Sequence, residues 1–443
     1  MGHLYFGDNL EVLRGSIPDE SVDLIYLDPP FNSKRDYNVL FKTPKGHTSD
    51  AAITAFEDSW HWGGQAEREF DEILNQPNTN VAEMVQALRR FLGENDMMAY
   101  LVMMCNRLLE LHRILNHKGS LYLHCDPTAS HYLKIVLDGV FGKENYRTEI
   151  SWKRSSSHND GRQGRRQYGN VRDVIFFYTK SNEWNWKWLF TPYSESYIAK
   201  NYCHLDPATK RRYRLGDLTA AKPGGDVSYD FMGTRPYKGR YWAYSKKNMQ
   251  KYFDDGRLYF PANGGTPSYI RYLDEMPGVP LQNNWDDILP ATGNESLGYS
   301  TQKPLALLQR MIMASCPDDG VVLDPFCGCG TAIHASEKLG RKWIGIDITH
   351  LAISVIEERL KKHFPGIQFE THGTPRDIGG AKDLARRDKY EFQWWVCHIL
   401  GAQPYQNKKK GADSGIDGII YFKDVGSQHK KIIVSVKGGE NLN

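Results

Sequence analysis

Val321-Val322-Leu323-Asp324-Pro325-Phe326-Cys327-Gly328-Cys329-Gly330-Thr331, continued by Ala332 to Leu339 and then by Trp343-Ile344-Gly345-Ile346-Asp347, decides the fold. The short apolar run 321–323 predicts a strand. Gly328-Cys329-Gly330 predicts a tight turn, because glycine reaches left-handed backbone at no steric cost. Thr331 to Leu339 reads as a helix ended by Gly340, and residues 343–346 as a strand that stops at Asp347. Such strand–turn–helix–strand units build parallel sheets covered by helices. Gly328 and Gly330 stand where a backbone approaches a ligand closely. Asp347 stands at the next strand's tip, where a carboxylate accepts hydrogen bonds from ribose hydroxyls. A dinucleotide site would need a third glycine, but the residue three after Gly330 is Ile333. No helix N-terminus is prepared for a pyrophosphate. The spacing suits a nucleoside lacking a diphosphate, and S-adenosylmethionine has that chemistry; an ordinary tight strand–helix turn is the alternative.

The same alternation extends outward. Pro304 opens a predicted helix through Leu307, Leu308, Met311 and Ile312. Near the other end, Val22–Leu27 is an apolar run closed by Asp28-Pro29-Pro30, which must end a strand because proline cannot donate to a ladder. Residues 96–116 carry Leu101, Met104, Leu108, Leu111 and Leu115 at helical spacing, with Gly119 as the expected terminator. Ser120–His124 predicts a strand, and Asp126-Pro127-Thr128 the start of another helix. Asp28-Pro29-Pro30-Phe31 is the second stretch with chemistry. It exposes a carboxylate and a non-donor backbone beyond the sheet, where open α/β sheets bind ligands. An exocyclic base amine is a poor nucleophile, because its lone pair is delocalised. The Asp28 carboxylate and the Pro29 carbonyl could accept its two N–H groups and favour a pyramidal nitrogen, while Phe31 stacks on the base. Read without chemistry, the same residues are a structural strand-end turn.

Between these halves the charge changes. The chain has 443 residues and net charge +3, yet residues 151–250 hold 19 Lys and Arg against 8 Asp and Glu. That stretch is therefore +11 and the remainder −8. It also carries 19 of the 54 aromatic residues, interleaved with the basic ones. This composition suits a polyanion whose bases can be stacked upon; a solvated basic surface over an ordinary aromatic core is the alternative. Arg162, Arg165, Arg166, Lys210, Arg211, Arg212 and Arg214 are candidates for phosphate contact or guanine readout in double-stranded DNA. Residues 151–295 read as an inserted module, outside the sheet.

Other classes are excluded. No apolar run reaches the length of a membrane span. Met1 to Asn9 lacks the basic-then-apolar pattern of a secretory leader. Seven cysteines without a Cys-x-x-Cys pair argue against a disulfide framework and point to a reducing, cytoplasmic setting. Cys327-x-Cys329 reads as loop packing rather than as zinc ligation, so no metal site is expected among these residues.

The motifs together resemble the β arrangement of the DNA amino-methyltransferases, in which the catalytic tetrapeptide precedes the cofactor glycines. The resemblance covers residues 3–375. Leu27-Asp28-Pro29-Pro30-Phe31-Asn32 resembles the catalytic motif, and Asp324-Pro325-Phe326-Cys327-Gly328-Cys329-Gly330-Thr331 the S-adenosylmethionine loop. Gly298-Tyr299-Ser300-Thr301-Gln302-Lys303-Pro304 is similar to the preceding segment, whose Thr301 and Lys303 would line the cofactor site. Gly7-Asp8-Asn9 resembles the turn whose acid contacts the adenine of the cofactor. The resemblance implies an α/β fold with a doubly wound, mostly parallel, seven-stranded sheet. Residues 1–150 would be its catalytic half, 151–295 the target-recognition region and 296–375 the cofactor-binding half. It implies direct methyl transfer from S-adenosylmethionine to an amine of a flipped base. Aspartate at the head of the tetrapeptide favours adenine N6, with cytosine N4 as the alternative. A non-catalytic DNA-binding module would not need the two cofactor motifs. An RNA or small-molecule methyltransferase would not need so large a basic insertion. The reading is compatible with a homodimer and with a restriction-endonuclease partner.

Residues 376–443 predict a helix at Tyr390–Leu400 and strands at Ile416–Phe422 and Lys431–Val436. Gly411-Ala412-Asp413-Ser414-Gly415-Ile416-Asp417-Gly418, with Ser435-Val436-Lys437, resembles part of a restriction-endonuclease-like fold. Asp417 and Lys437 match its pattern, in which acids and a lysine hold Mg²⁺ and activate water. Ser435 stands where a second ligand is required, and Asp413 or Glu391 would have to substitute.

Overall fold

In the computed structural model the described residues are 2–30, 36–42, 48–57, 60–155, 166, 168–222, 228–262, 264–295, 302–375, 377–404, 415–423 and 429–438. For 36–42, 48–57, 294, 404, 423 and 429 this means the backbone alone. Two compact units emerge, one of residues 1–187 with 282–443 and one of 188–281.

The larger unit is built on a nine-stranded sheet. Its strands are β1 (Gly2–Phe6), β2 (Val22–Leu27), β3 (Leu115–Cys125), β4 (Tyr146–Lys153), β5 (Arg172–Thr179), β6 (Asn284–Trp285), β7 (Val321–Asp324), β8 (Lys342–Asp347) and β9 (Phe369–His372). Their order is β6-β4-β5-β3-β2-β7-β8-β1-β9. Pairing is parallel from β3 across to β9, and β5 runs antiparallel to both its neighbours. The seven-stranded expectation is met by the central run β4 to β1, and one short strand is added at each edge.

Alternation along the strands builds two cores. Leu121 and Leu123 of β3 pack with Leu101, Leu108 and Leu111 of helix α2 (Asp96–Ile114). Tyr122, between them, points the other way, and its hydroxyl meets Ser315 Oγ of helix α4 (Leu305–Ser315) at 2.5 Å. Helices thus cover both faces, with α1 (Asn9–Ser16) and α3 (Pro127–Phe141) packed in the α2 layer. Trp343 and Leu4 contribute to a second cluster with Ile333 of α5 (Thr331–Lys338) and Ile353 and Ile356 of α6 (His350–His363).

Two expectations differ from the structure, and one element is not anticipated. Helix α2 stops at Ile114, and Gly119 lies inside β3. Pairing jumps from Val22↔Leu115 to Leu24↔Ser120, so residues 116–119 bulge from the ladder. A side chain at Gly119 would lie 2.5 Å from Leu115 Cδ1, so glycine serves the bulge rather than a helix end. The inserted compact unit spans Trp188–Leu281, narrower than 151–295, because the edge of the sheet recruits β4, β5 and β6. The backbone hairpin Asp36–Lys42 with Thr48–Glu57 has no counterpart in the sequence reading.

The smaller unit holds a four-stranded antiparallel sheet and a cluster of Leu218, Tyr229, Phe231, Trp242 and Met249. At the C-terminal end, helix α7 (Lys389–Ile399) accompanies the strands Gly418–Lys423 and His429–Val434, close to the predicted spans. No helix among the described residues is long and apolar enough to cross a membrane.

Candidate active site

Four neighbouring parallel strands, β2, β7, β8 and β1, each run out into an aspartate: Asp28, Asp324, Asp347 and Asp8. The register fixes the first two side by side, since Leu323 pairs with Ile25. Parallel strands bring their carboxyl ends to one edge of the sheet, where connecting loops leave a crevice. A cavity of about 290 Å³ opens there. Asp8, Asp28, Pro29, Pro30, Lys303, Asp324, Phe326, Gly328, Thr331 and Asp347 all line it. Two motifs almost 300 residues apart in sequence therefore share one pocket. Phe31 and Thr301 lie outside the described residues.

The glycine turn has the shape its sequence demands. Gly328 and Gly330 have φ of 49° and 74°, in the left-handed region. A Cβ on Gly330 would lie 2.6 Å from Ile356 Cγ1 on α6. The Gly328 N–H donates to Asp347 Oδ2 at 2.9 Å, while Asp347 Oδ1 accepts from the Thr349 N–H and hydroxyl. Burial pushes the Asp347 carboxyl up to about 6, against those hydrogen bonds. Burial, with the nearby Asp28 and Asp347 charges, holds Asp324 well above the ordinary carboxylate range. Cys327 and Cys329 are buried, and burial raises both thiols. The Cys329 carbonyl accepts from the buried Arg359 at 2.9 Å, so this loop is packed, as expected.

At the other wall, Lys303 Nζ donates to Asp28 Oδ2 in a largely buried ion pair. Asp28 Oδ1 is buried and accepts no hydrogen bond among the described residues. A buried carboxylate oxygen left in this state is expensive unless something arrives to donate to it. Beneath it, Tyr26 bonds His124 Nδ1 at 3.1 Å, and His124 Nε2 bonds Asp173 at 3.2 Å. Burial raises the Asp173 carboxyl, but the His124 hydrogen bond and the charges of His124, Lys303 and Arg154 outweigh it, leaving it below its ordinary value. Burial and the Asp28 charge push the Tyr26 hydroxyl well up, so it keeps its proton. This chain ties β2, β3 and β5 together directly under Asp28.

Asp8 lines the cavity and is also held by neighbouring groups. Its Oδ1 caps α1 by accepting from Leu10 N at 2.8 Å, and its Oδ2 accepts from Arg107 at 3.0 Å. Arg107 also donates to Asn9 Oδ1 at 2.6 Å, and Asn9 Nδ2 donates to the Pro325 carbonyl. Arg107 escaped the sequence reading. Its signal is a charged residue on the apolar face of a helix, between Met104 and Leu108.

The basic candidates divide. Arg162 and Arg165 lie outside the described residues, and Arg166 is exposed. Arg211 is fastened to Asp274 at 2.8 Å and Glu275 at 2.6 Å and lies over the Tyr272 ring, an arrangement that serves the fold of the smaller unit. Arg214 reaches the Tyr197 hydroxyl, Arg212 points at the Tyr202 carbonyl, and Lys210 is exposed on a turn. In the C-terminal segment, Asp417 Oδ2 accepts from Val436 N at 2.6 Å, and Lys437 is exposed. Asp413 lies outside the described residues. Glu391 faces α6, accepting from His350 N at 3.1 Å.

The family model described as DNA methylase matches residues 22–358. Among curated proteins, the chain is 28% identical over 358 residues to the Type III restriction-modification enzyme StyLTI Mod subunit of Salmonella typhimurium, covering 76% of this chain and 50% of that protein. It is 29% identical to the Type II methyltransferase M.EcaI of Enterobacter cloacae, over 59% of this chain and 57% of that one. It is 25% identical to the DNA adenine methyltransferase YhdJ of Escherichia coli, over 80% and 81%. The chain thus spans about half the length of the first two. Among solved structures, TTHA0409 of Thermus thermophilus, crystallised with S-adenosyl-L-methionine, aligns at 15% identity and a TM-score of 0.40, over 84% of this chain and 98% of that one.

Proposed function

Because the chain belongs to the DNA methylase family, we propose that it transfers a methyl group from S-adenosylmethionine to the exocyclic N6 amine of a flipped adenine in duplex DNA. The observation that carries this reading is Asp28 Oδ1: a buried acceptor without a donor among the described residues, in the same cavity as the Gly328–Asp347 turn. The pocket residues fit the cofactor. Gly328 lines the cavity without a side chain, Gly330 lets the turn close against α6, and Asp347 offers a carboxylate to a ribose diol. S-adenosylmethionine would supply an electrophilic methyl group on a sulfonium.

The chain's own contribution is positioning and charge. Asp28 Oδ1 and the Pro29 carbonyl would accept the two amine N–H groups and direct the nitrogen lone pair away from the strand tip. Lys303 holds Oδ2, so the carboxylate presents one oxygen to the substrate. The Asp28 carboxylate would also balance the positive charge that builds on the nitrogen as the sulfonium is neutralised, and water can take the surplus proton afterwards. Phe31 is the candidate for stacking on the base. A duplex base must leave the helix to reach such a pocket. Residues 188–281 and the basic segment around Arg166 would bind and read the target. Aspartate at the head of the tetrapeptide and the likeness to YhdJ support adenine over cytosine N4. The likeness to Mod subunits supports a restriction partner.

Incubation with methyl-labelled cofactor, followed by digestion to nucleosides, tests the reading. Label is expected in N6-methyladenine from DNA and not from RNA. Label in N4-methylcytosine would move the target base, and a chain that binds the cofactor yet labels no DNA would end the proposal. A pH dependence follows as well. Only the anionic form of Asp347 accepts from a ribose diol without giving up an acceptor, so protons and cofactor compete. The cofactor dissociation constant should be flat above pH 6 and rise about tenfold per unit below it, as read by calorimetry.

A further inference from the structure

Away from the cavity, three side chains with metal-binding atoms converge on one face of the sheet edge. His3 lies on β1, and Glu370 and His372 lie on β9. The parallel register pairs His3 with Glu370 and Tyr5 with His372, and residues two apart along a strand share a face. His3 Nδ1 is 3.2 Å from His372 Nε2 and 3.8 Å from Glu370 Oε2, and His372 Nε2 is 3.5 Å from that same oxygen. Two imidazole nitrogens and one carboxylate oxygen thus form a nearly equilateral triangle.

The size of the triangle selects an ion. Ligands bound at zinc distances on a tetrahedron are separated by about 3.3–3.5 Å. Neighbouring ligands of an octahedral ion of similar size are only about 3.0 Å apart. The observed edges, 3.2, 3.5 and 3.8 Å, are on average closer to the tetrahedral spacing. The donor set matches too, because magnesium and calcium take oxygens, whereas imidazole with carboxylate suits zinc and its neighbours. The rings are already arranged. His372 stacks on Tyr5 with centroids 4.5 Å apart and lies at 22° to the His3 ring, so little side-chain freedom remains to be lost on binding. The side chains are between 29% and 48% exposed, which leaves an ion a path in and a water a fourth position.

We propose that His3, Glu370 and His372 form a tetrahedral site for a divalent transition metal ion of the zinc type, completed by water. Such an ion would clip the edge strand β9 to β1, the strand that leads into Gly7 and Asp8. The residues are 369 positions apart at the extremes, which no spacing rule in the sequence detects.

The test uses the whole chain without a histidine tag. Titration with Zn²⁺ against a chromophoric chelator should give one ion per chain at micromolar affinity or tighter, with a higher Tm. Co²⁺ should give the intense visible bands of a four-coordinate ion. In the His3→Gln/His372→Gln variant the affinity should fall by about a hundredfold or more. Glu370→Gln, nearly isosteric, should weaken binding without lowering the Tm of the metal-free chain, which separates ligand loss from misfolding. No stoichiometric ion, or equal affinity in the double variant, would show that the three side chains merely hydrogen-bond one another and would overturn the site.

Discussion

Asp28→Ala should lower the methyl-transfer rate by about a thousandfold or more and leave the cofactor dissociation constant within about threefold of the parent. The asymmetry is the informative part. Asp28 lies at the tip of β2, whereas the glycine turn and Asp347 belong to β7 and β8. Removing the carboxylate takes away the acceptor that orients the amine, but it leaves the Gly328–Asp347 hydrogen bond untouched. The substitution also strands Lys303, whose ammonium is largely buried and would lose its partner carboxylate. An unpaired buried charge destabilises by up to about 3 kcal/mol, so Asp28→Ala alone mixes two effects. The double variant Asp28→Ala/Lys303→Met removes both charges and should recover stability without recovering transfer. Single-turnover assays with labelled cofactor, together with thermal melts, separate the two. Transfer at the parent rate in either variant would remove Asp28 from the reaction.

The second large effect is at Gly330. Valine there must hold a φ of 74° and place its Cβ 2.6 Å from Ile356 Cγ1. The left-handed backbone costs a residue with a side chain about 1–2 kcal/mol, and overpacking against α6 adds about 1–3 kcal/mol. The loop can relieve both only by moving, and its movement carries Gly328 away from Asp347. Cofactor affinity should fall by about a hundredfold or more, with a clearly lower Tm. Gly340 provides the control. Its φ is 71°, but nothing lies within 4 Å of the Cβ position. Gly340→Val therefore reports backbone strain alone and should leave cofactor binding nearly intact. Equal losses at the two positions would mean that the cradle is not formed by close packing.

How much of this the sequence shows depends on range. The tips of β2, β7 and β8 are legible because local signals mark them: apolar runs closed by prolines, or glycines at fixed offsets. That the two motifs meet is a non-local fact, supplied by the pairing of Leu323 with Ile25. Arg107 is hidden for the same reason, since its hydrogen-bonding partners include Asp8 and Asn9, almost a hundred residues earlier. The helix end at Gly119 is misread because glycine serves a terminator and a bulge equally well, and only the strand across from it tells them apart. The bounds differ because composition changes at residue 151, whereas the compact unit begins at 188, after the aromatic strand β5 has joined the sheet.

The placement of that unit has an evolutionary consequence. On the larger unit, the outgoing chain is anchored where Lys187 N–H meets the Ala314 carbonyl, and the returning chain where Ser151 N–H meets the Asn283 carbonyl. All the acids of the reaction centre lie outside the stretch between those anchors. One lineage could therefore exchange residues 188–281 wholesale, acquiring a new vocabulary while its chemistry stays fixed.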